Sequence, residues 1–278
     1  MADVMDAAFE DPAEREAYEA FVAAQERGNA GFELGEPALV CRWRMAGKKV
    51  PMLNRHIRAL AARRVNGAPI NRNLVSWAKQ HIEWSLAEGD FTERDGVLMV
   101  VVDVDGQAAM SVGAYEPLAD TSLEALAARS EAARREAGEA GVAPEALCAV
   151  DGNQLLIVVD EGEAPCGTVT LVEQLAQTRG LTLVPADLDR VCAGQSPFLV
   201  SDEHGIVPAS DSEPNEFVNF LIDGLEKLRA RTRQARRGRN GSADWPVETK
   251  RLARRRHVQR PQVAADDVEA FLQVGDVV

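Results

Sequence analysis

The stretch CGTVTLVEQLAQTRGLTLVPADL, residues 166–188, decides how this chain is read. Gly167-Thr168 makes a turn that opens a helix over Val169–Thr178. Gly180 ends that helix where a left-handed residue closes it most cheaply. A strand follows at Leu181–Pro185, and Asp187–Cys192 reads as a helical turn. A helix that runs straight into a strand needs a sheet to receive it, and the neighbouring segments supply one. Ala146–Val150 and Gln154–Val159 (QLLIVV) precede it, and Pro197–Ser201 (PFLVS) and Gly205–Ser210 (GIVPAS) follow. Each is a short apolar run bounded by turn residues, which is the signature of buried strands. The helices Leu123–Ala140 and Glu216–Arg233 flank the set.

The N-terminal half shows the same mixture. Ala38–Met45 reads as a strand, AGKK as a turn and VPMLN as a second strand, which together predict a hairpin. A helix over Arg55–Arg64 breaks at Asn66-Gly67. Asn71–Glu88 is an amphipathic helix with Leu74, Trp77, Ala78, His81 and Ile82 on one stripe. Gly96–Asp103 and Gln107–Ala114 form a strand pair about a D-x-D-G turn. The fold class is α+β, in two α+β domains. We expect an N-terminal helical extension over 1–30, with a helix at 11–27 capped by Asp11. A small domain over 31–115, a linker over 116–122, a second domain over 123–233 and a basic tail over 234–278 follow. Asp266–Val274 reads as a small docking helix.

The net charge of −13, from 31 basic and 44 acidic residues, argues against nucleic acid as a partner of the body. The average conceals an asymmetry. Lys227–Arg260 holds 13 Lys/Arg and two acids, a local +11, so the remainder carries −13 − 11 = −24. Cys41, Cys148, Cys166 and Cys192 form no CxxC pair and read as reduced thiols. No metal site is expected: Asp103 and Asp105 lack the further oxygen ligands of a calcium loop. No apolar run approaches the ~20 residues of a membrane span. The acidic start MADVMDAAFEDPAERE has no signal-peptide pattern. The expected setting is cytoplasmic.

Two groups of segments resemble the fold-type IV pyridoxal-phosphate enzymes, which include branched-chain and D-amino-acid aminotransferases and aminodeoxychorismate lyases. RWRMAGKKVPMLNRHIRAL looks like their first-domain strand ending in arginine (Arg44), turn and helix opening with histidine (His56). NRNLVSWAKQHIEWSL and DGVLMVVV continue in the family's order. SEAARREAGEAGVAPEAL, the 166–188 stretch and FLVSDEHGIVPAS look like the second domain. The resemblance covers roughly residues 38–230 and implies the D-amino-acid aminotransferase-like fold, a homodimer and pyridoxal phosphate in the cleft between the domains.

The departures concern chemistry. The family's Schiff-base lysine sits just before the Glu-Ala-rich helix. Here that place falls in ADTSLEA, at Thr121 or Ser122, and no lysine lies between Lys79 and Lys227. No other side chain supplies that amine. The glutamate that meets the pyridine nitrogen and the family's Ser-Asn pair are missing, with QLLIVVDEGEAP in their place. The glutamate of the family's Phe-Glu pair before Arg44 is also gone, with Cys41 near that position. No catalytic residue is assigned, and covalent attachment of a cofactor is not expected.

What the resemblance leaves as a phosphate site is Arg44 with Gly167, Thr168, Val169 and Thr170. Arginine binds phosphate bidentately, and amides at a helix N-terminus complete an anion site. The same residues serve equally as an ion-paired arginine and a plain helix cap. Lys48 or Lys49, ahead of Lys79 on the polar side of its helix, is the candidate for a relocated amine. His56 is expected to cap its helix, His81 to be a satisfied core histidine, and His204 to be a turn residue in the loop that the resemblance places near the cofactor, with a ligand contact as the alternative. Three functions stay open. The first is a non-catalytic or repurposed relative that binds a phosphate-bearing or carboxylate ligand. The second is an active aminotransferase or lyase with noncovalent cofactor or relocated lysine. The third is an interaction subunit whose basic tail recruits an acidic partner.

Overall fold

The computed structural model describes residues 34–89, 91–160 and 162–234, all within a unit running from Leu34 to Arg239. The helices expected at 11–27 and Asp266–Val274, and most of the basic tail, lie outside the described residues.

The first sheet is antiparallel, in the order β1 (Pro37–Arg44), β4 (Val97–Asp103), β5 (Ala108–Gly113). β4, VLMVVVD, is central because it can be. It is β-branched and buried on both faces, and it pairs Val100 with Cys41 on one side and Met110 on the other. The D-x-D-G turn closes it. Asp103 is fully buried, and its carboxylate accepts the amides of Gly35, Asp105 and Gln107. Between β1 and β4 come α1 (Leu53–Ala61), a small hairpin of β2 (Arg64–Val65) and β3 (Ala68–Pro69) turning on Asn66-Gly67, and α2 (Arg72–Glu88). α2 is capped by Asn71, whose side chain accepts the Asn73 amide, and it buries Leu74, Ala78, Ile82 and Leu86.

VPMLN does not form the expected second strand of a hairpin. The chain turns through Gly47 and Lys48 (φ 62° each) and Met52 (φ 58°), and α1 begins at Leu53. Pro51 has no N–H to offer a ladder, which suits this turn better than a strand. The partner of β1 is therefore β4, much later in the chain.

The second sheet has the order β10 (Gly205–Pro208), β9 (Gln195–Ser201), β6 (Ala146–Asp151), β7 (Gln154–Ile157), β8 (Thr182–Pro185). Only the β7–β8 pair is parallel among these. Its helices are α3 (Leu123–Ala140), α4 (Gly167–Thr178), α5 (Leu188–Cys192) and α6 (Glu216–Gln234). The strand period of two sorts the core. Ala146, Cys148 and Val150 of β6 face Val169, Val172 and Ala176 of α4 and Val218 and Leu221 of α6. Leu147 and Ala149 face Leu126 of α3 and Val191 of α5. Helices thus cover both faces, and the continuous apolar runs seen in the sequence are strands with no wet side.

The two sheets are tied at two places. Val40 donates its amide to the Gly141 carbonyl, and Ala143 donates to the Val40 carbonyl. Gly141 (φ 62°) must be glycine, because a Cβ there would run into the Ala38 carbonyl. At the other end of β1, the Arg44 amide donates to the Asp202 carbonyl at 3.1 Å.

Candidate functional site

The second tie is where the candidate residues gather. β9 ends at Ser201, and the turn Asp202–His204 leads through Gly205 into β10. α4 begins beside this turn with Cys166 as N-cap residue, whose side chain makes no cap bond. The first amides of a helix need acceptors, and burial removes water from the choice. Asp202 supplies both oxygens. Oδ1 accepts the Thr168 amide at 2.6 Å, and Oδ2 accepts the Gly167 amide at 3.2 Å.

His56 completes the arrangement. It is 3 % exposed, stacks on Trp43 with ring centroids 5.3 Å apart, and brings Nδ1 to 3.1 Å from Asp202 Oδ2. Nδ1 forms no geometrically complete hydrogen bond. Gly167 makes this approach available: a Cβ on it would meet the His56 ring. Burial alone would raise the Asp202 carboxyl. His56, and the amide and hydroxyl of Thr168, outweigh burial and hold it down at about 2. The same carboxylate, after burial itself, pushes the neighbouring Cys166 thiol well above the ordinary range.

His56 therefore does not cap α1, as the sequence suggested. Met52 occupies that cap position without a side-chain bond, and the imidazole turns across to α4 and Asp202. Thr168 and Val169 are buried, Val169 in the apolar core. Thr170 donates its hydroxyl to the Gly167 carbonyl and receives Arg55 Nη1 at 3.1 Å.

Arg44 reaches the same neighbourhood through its backbone, but its side chain goes elsewhere. The guanidinium carbon lies 3.1 Å from the centroid of the Tyr115 ring, and Nη1 is buried with no hydrogen-bond partner. Burial lowers its affinity for the proton, and nearby Arg229 and Arg233 add to that. Tyr115 in turn places its hydroxyl 3.5 Å from His204 Nδ1, and burial holds the His204 imidazole below its usual pKa. Behind His204 runs a buried chain of polar groups. The amides of Glu203 and His204 donate to Ser201 Oγ, Ser201 Oγ donates to Glu145, and Arg129 donates to Glu145 at 2.7 Å. A polar depression of about 440 Å³ lies apart from these residues, between the C-terminal end of α3, the start of β1 and Arg63-Arg64.

The place that the resemblance gives to a Schiff-base lysine is a helix cap. Ser122 Oγ accepts the Ala125 amide, the Ser122 amide donates to Asp120, and the Thr121 carbonyl receives the Ser210 amide. Lys48 donates Nζ to the Gly89 carbonyl at the end of α2. His81 is half-buried on the flank of α2, stacked on Trp77 and tilted against Trp84. Among the described residues no cluster of three or more His, Cys, Asp or Glu side chains is placed to hold a metal, and no helix is long and apolar enough to cross a membrane.

Sequence reasoning missed Asp202, Tyr115 and Glu145. The signal for Asp202 was an acid directly after the apolar run FLVS, in a turn that already drew attention through His204. A cofactor phosphate would need the Gly167 and Thr168 amides that Asp202 holds. Two anions about 4 Å apart repel by roughly 4 kcal/mol at an effective dielectric of 20. The residues present do not fit a phosphate on this helix while Asp202 remains in place.

The sequence matches no protein-family model and no curated protein. Solved structures do match. A Legionella pneumophila protein provisionally identified as 4-amino-4-deoxychorismate lyase overlaps 72% of this chain and 97% of its own, at 13% identity and a TM-score of 0.50. The 4-amino-4-deoxychorismate lyase of Pseudomonas aeruginosa overlaps 72% and 93%, at 16% identity and 0.46. A fold IV-transaminase from Curtobacterium pusillum overlaps 71% and 85%, at 15% identity and 0.41. With 97% of the Legionella chain overlapped at a TM-score of 0.50, this protein has the fold of that Legionella protein.

Proposed function

We propose that the chain is a fold-type IV scaffold repurposed away from Schiff-base catalysis, whose remaining anion-binding capacity resides in Arg44 and suits a small carboxylate ligand. The observation that carries the first half is the start of α3. Where this scaffold's catalysis needs an amine, Ser122 is committed to capping the helix, and the interval from Lys79 to Lys227 holds no lysine. A hydroxyl cannot form an imine with an aldehyde, and losing a covalent catalyst costs orders of magnitude in rate. Lys48 is a poor substitute, because its ammonium donates to a carbonyl at the end of α2. Arg44 supports the second half. An unpartnered buried guanidinium nitrogen is expensive, and a carboxylate that reached it would gain a charge-assisted bond.

The test is direct. The purified protein is incubated with pyridoxal phosphate, reduced with borohydride and digested. We expect no site-specific pyridoxyl-lysine and no aldimine absorption band. A stoichiometric adduct on a single lysine would overturn the proposal.

A further inference from the structure

We propose that the α4 N-terminus is an anion seat which the chain fills with its own carboxylate, Asp202, so that external phosphate is excluded until that carboxylate is removed. The inference stands on this seat alone, and does not depend on what Arg44 binds or on the missing lysine.

Three observations converge. The Gly167 and Thr168 amides point at one centre, and Asp202 occupies it with both oxygens. α4 runs from Gly167 to Thr178, long enough for its dipole to favour an anion at that end. Second, and independent of the helix, His56 is 3 % exposed and aims Nδ1 into the same centre, 3.1 Å from Oδ2, without a complete hydrogen bond of its own. A buried donor of this kind asks for an anion. Third, an imidazole forms one wall of the seat. Gly167 has no Cβ, and the His56 ring fills the space that one would take. Two convergent amides and an imidazole would offer three donors to an oxyanion such as phosphate. A single carboxylate occupies them here, tethered at the end of β9.

Tethering changes the competition. A free anion loses translational freedom when it binds, whereas Asp202 is already in place, at a very high effective concentration. An incoming phosphate has to expel it or share the seat against like charge. The fold can therefore be kept while its family's ligand is refused by one side chain.

The test compares the wild type with Asp202→Gly and Asp202→Ser. Inorganic phosphate is titrated against chloride at matched ionic strength, and binding is read by ³¹P line broadening and by thermal melting. The wild type is expected to show no phosphate-specific effect. The glycine variant should melt lower in chloride and recover in phosphate along a saturating curve, with affinity at least about tenfold above the wild type. Adding His56→Phe should abolish that recovery, which a nonspecific salt effect would survive. A wild type that binds phosphate as well as the variants overturns the proposal. So does a folded glycine or serine variant without phosphate binding, or failure of both to fold in either salt, since phosphate is claimed to complete the seat. Pyridoxal phosphate in place of inorganic phosphate separates the readings. Noncovalent binding to Asp202→Gly without a lysine adduct supports both. A lysine adduct in the wild type sinks the reading of lost catalysis, and it sinks this one only if inorganic phosphate also binds there.

Discussion

Replacing Asp202 by asparagine keeps the shape of the seat and removes its charge. The Asp202 carboxyl is buried and held at about 2, against an ordinary value near 3.9 in the unfolded chain. A difference of roughly two units corresponds to about 2–3 kcal/mol of stability at neutral pH. The sign follows from the direction. A depressed carboxyl contributes fully above its unfolded value and loses that contribution as pH falls through about 4 toward about 2. Asparagine makes matters worse in one respect, because its NH₂ group must face either a helix amide or His56 Nδ1. For a unit of roughly 200 residues, 1 kcal/mol moves the melting temperature by about 2–4 °C. Asp202→Asn should therefore melt about 5–10 °C below the wild type at pH 7, and the gap should narrow toward pH 2. Melting curves followed by circular dichroism at pH 7, 5, 3 and 2 measure it. Equal melting temperatures at pH 7, or a gap that does not shrink in acid, would refute the assignment of Asp202 as the charged member of this cluster.

Two further substitutions probe the same joint. Gly167→Ala should destabilise by about 1–3 kcal/mol, because its methyl group has to displace the His56 ring from a packed site, and chemical denaturation measures that. A neutral result would mean that His56 is not held where the structure places it. Arg44→Met should change stability by less than about 1 kcal/mol, since the orphaned Nη1 offsets what packing on Tyr115 contributes. It should also remove any stabilisation by a small carboxylate such as glutarate. A large loss of stability in the absence of ligand would make Arg44 structural.

What could be read in the sequence was whatever depends on neighbours in the chain. α2 announces itself by Asn71 as cap and by a stripe at helical spacing. β4 announces itself by six apolar residues before an acid that closes its own turn. α3 was placed to the residue because a serine cap and a closing glycine bracket it. VPMLN failed for a local reason of another kind. Its apolar composition fits a strand, but Met52 adopts a left-handed conformation that no residue pattern advertises. The site was half legible. Glycine and threonine at the head of a helix signal backbone amides that need an acceptor, and here Asp202 accepts those of Gly167 and Thr168. Its occupant was invisible, because Asp202 meets α4 and His56 only once β9, α1 and α4 have packed together.

That packing also decides how the helix head is satisfied. A helix head buried between two sheets must satisfy its amides in every state of the protein, with ligand or without. An enzyme that binds and releases an anion there exposes those donors to water each time the seat empties. With Asp202 in place the donors are satisfied permanently, and the same residue receives the Arg44 amide on its carbonyl, so one position ties β1, α1, α4 and β9 together. The joint between the sheets then no longer depends on a bound molecule.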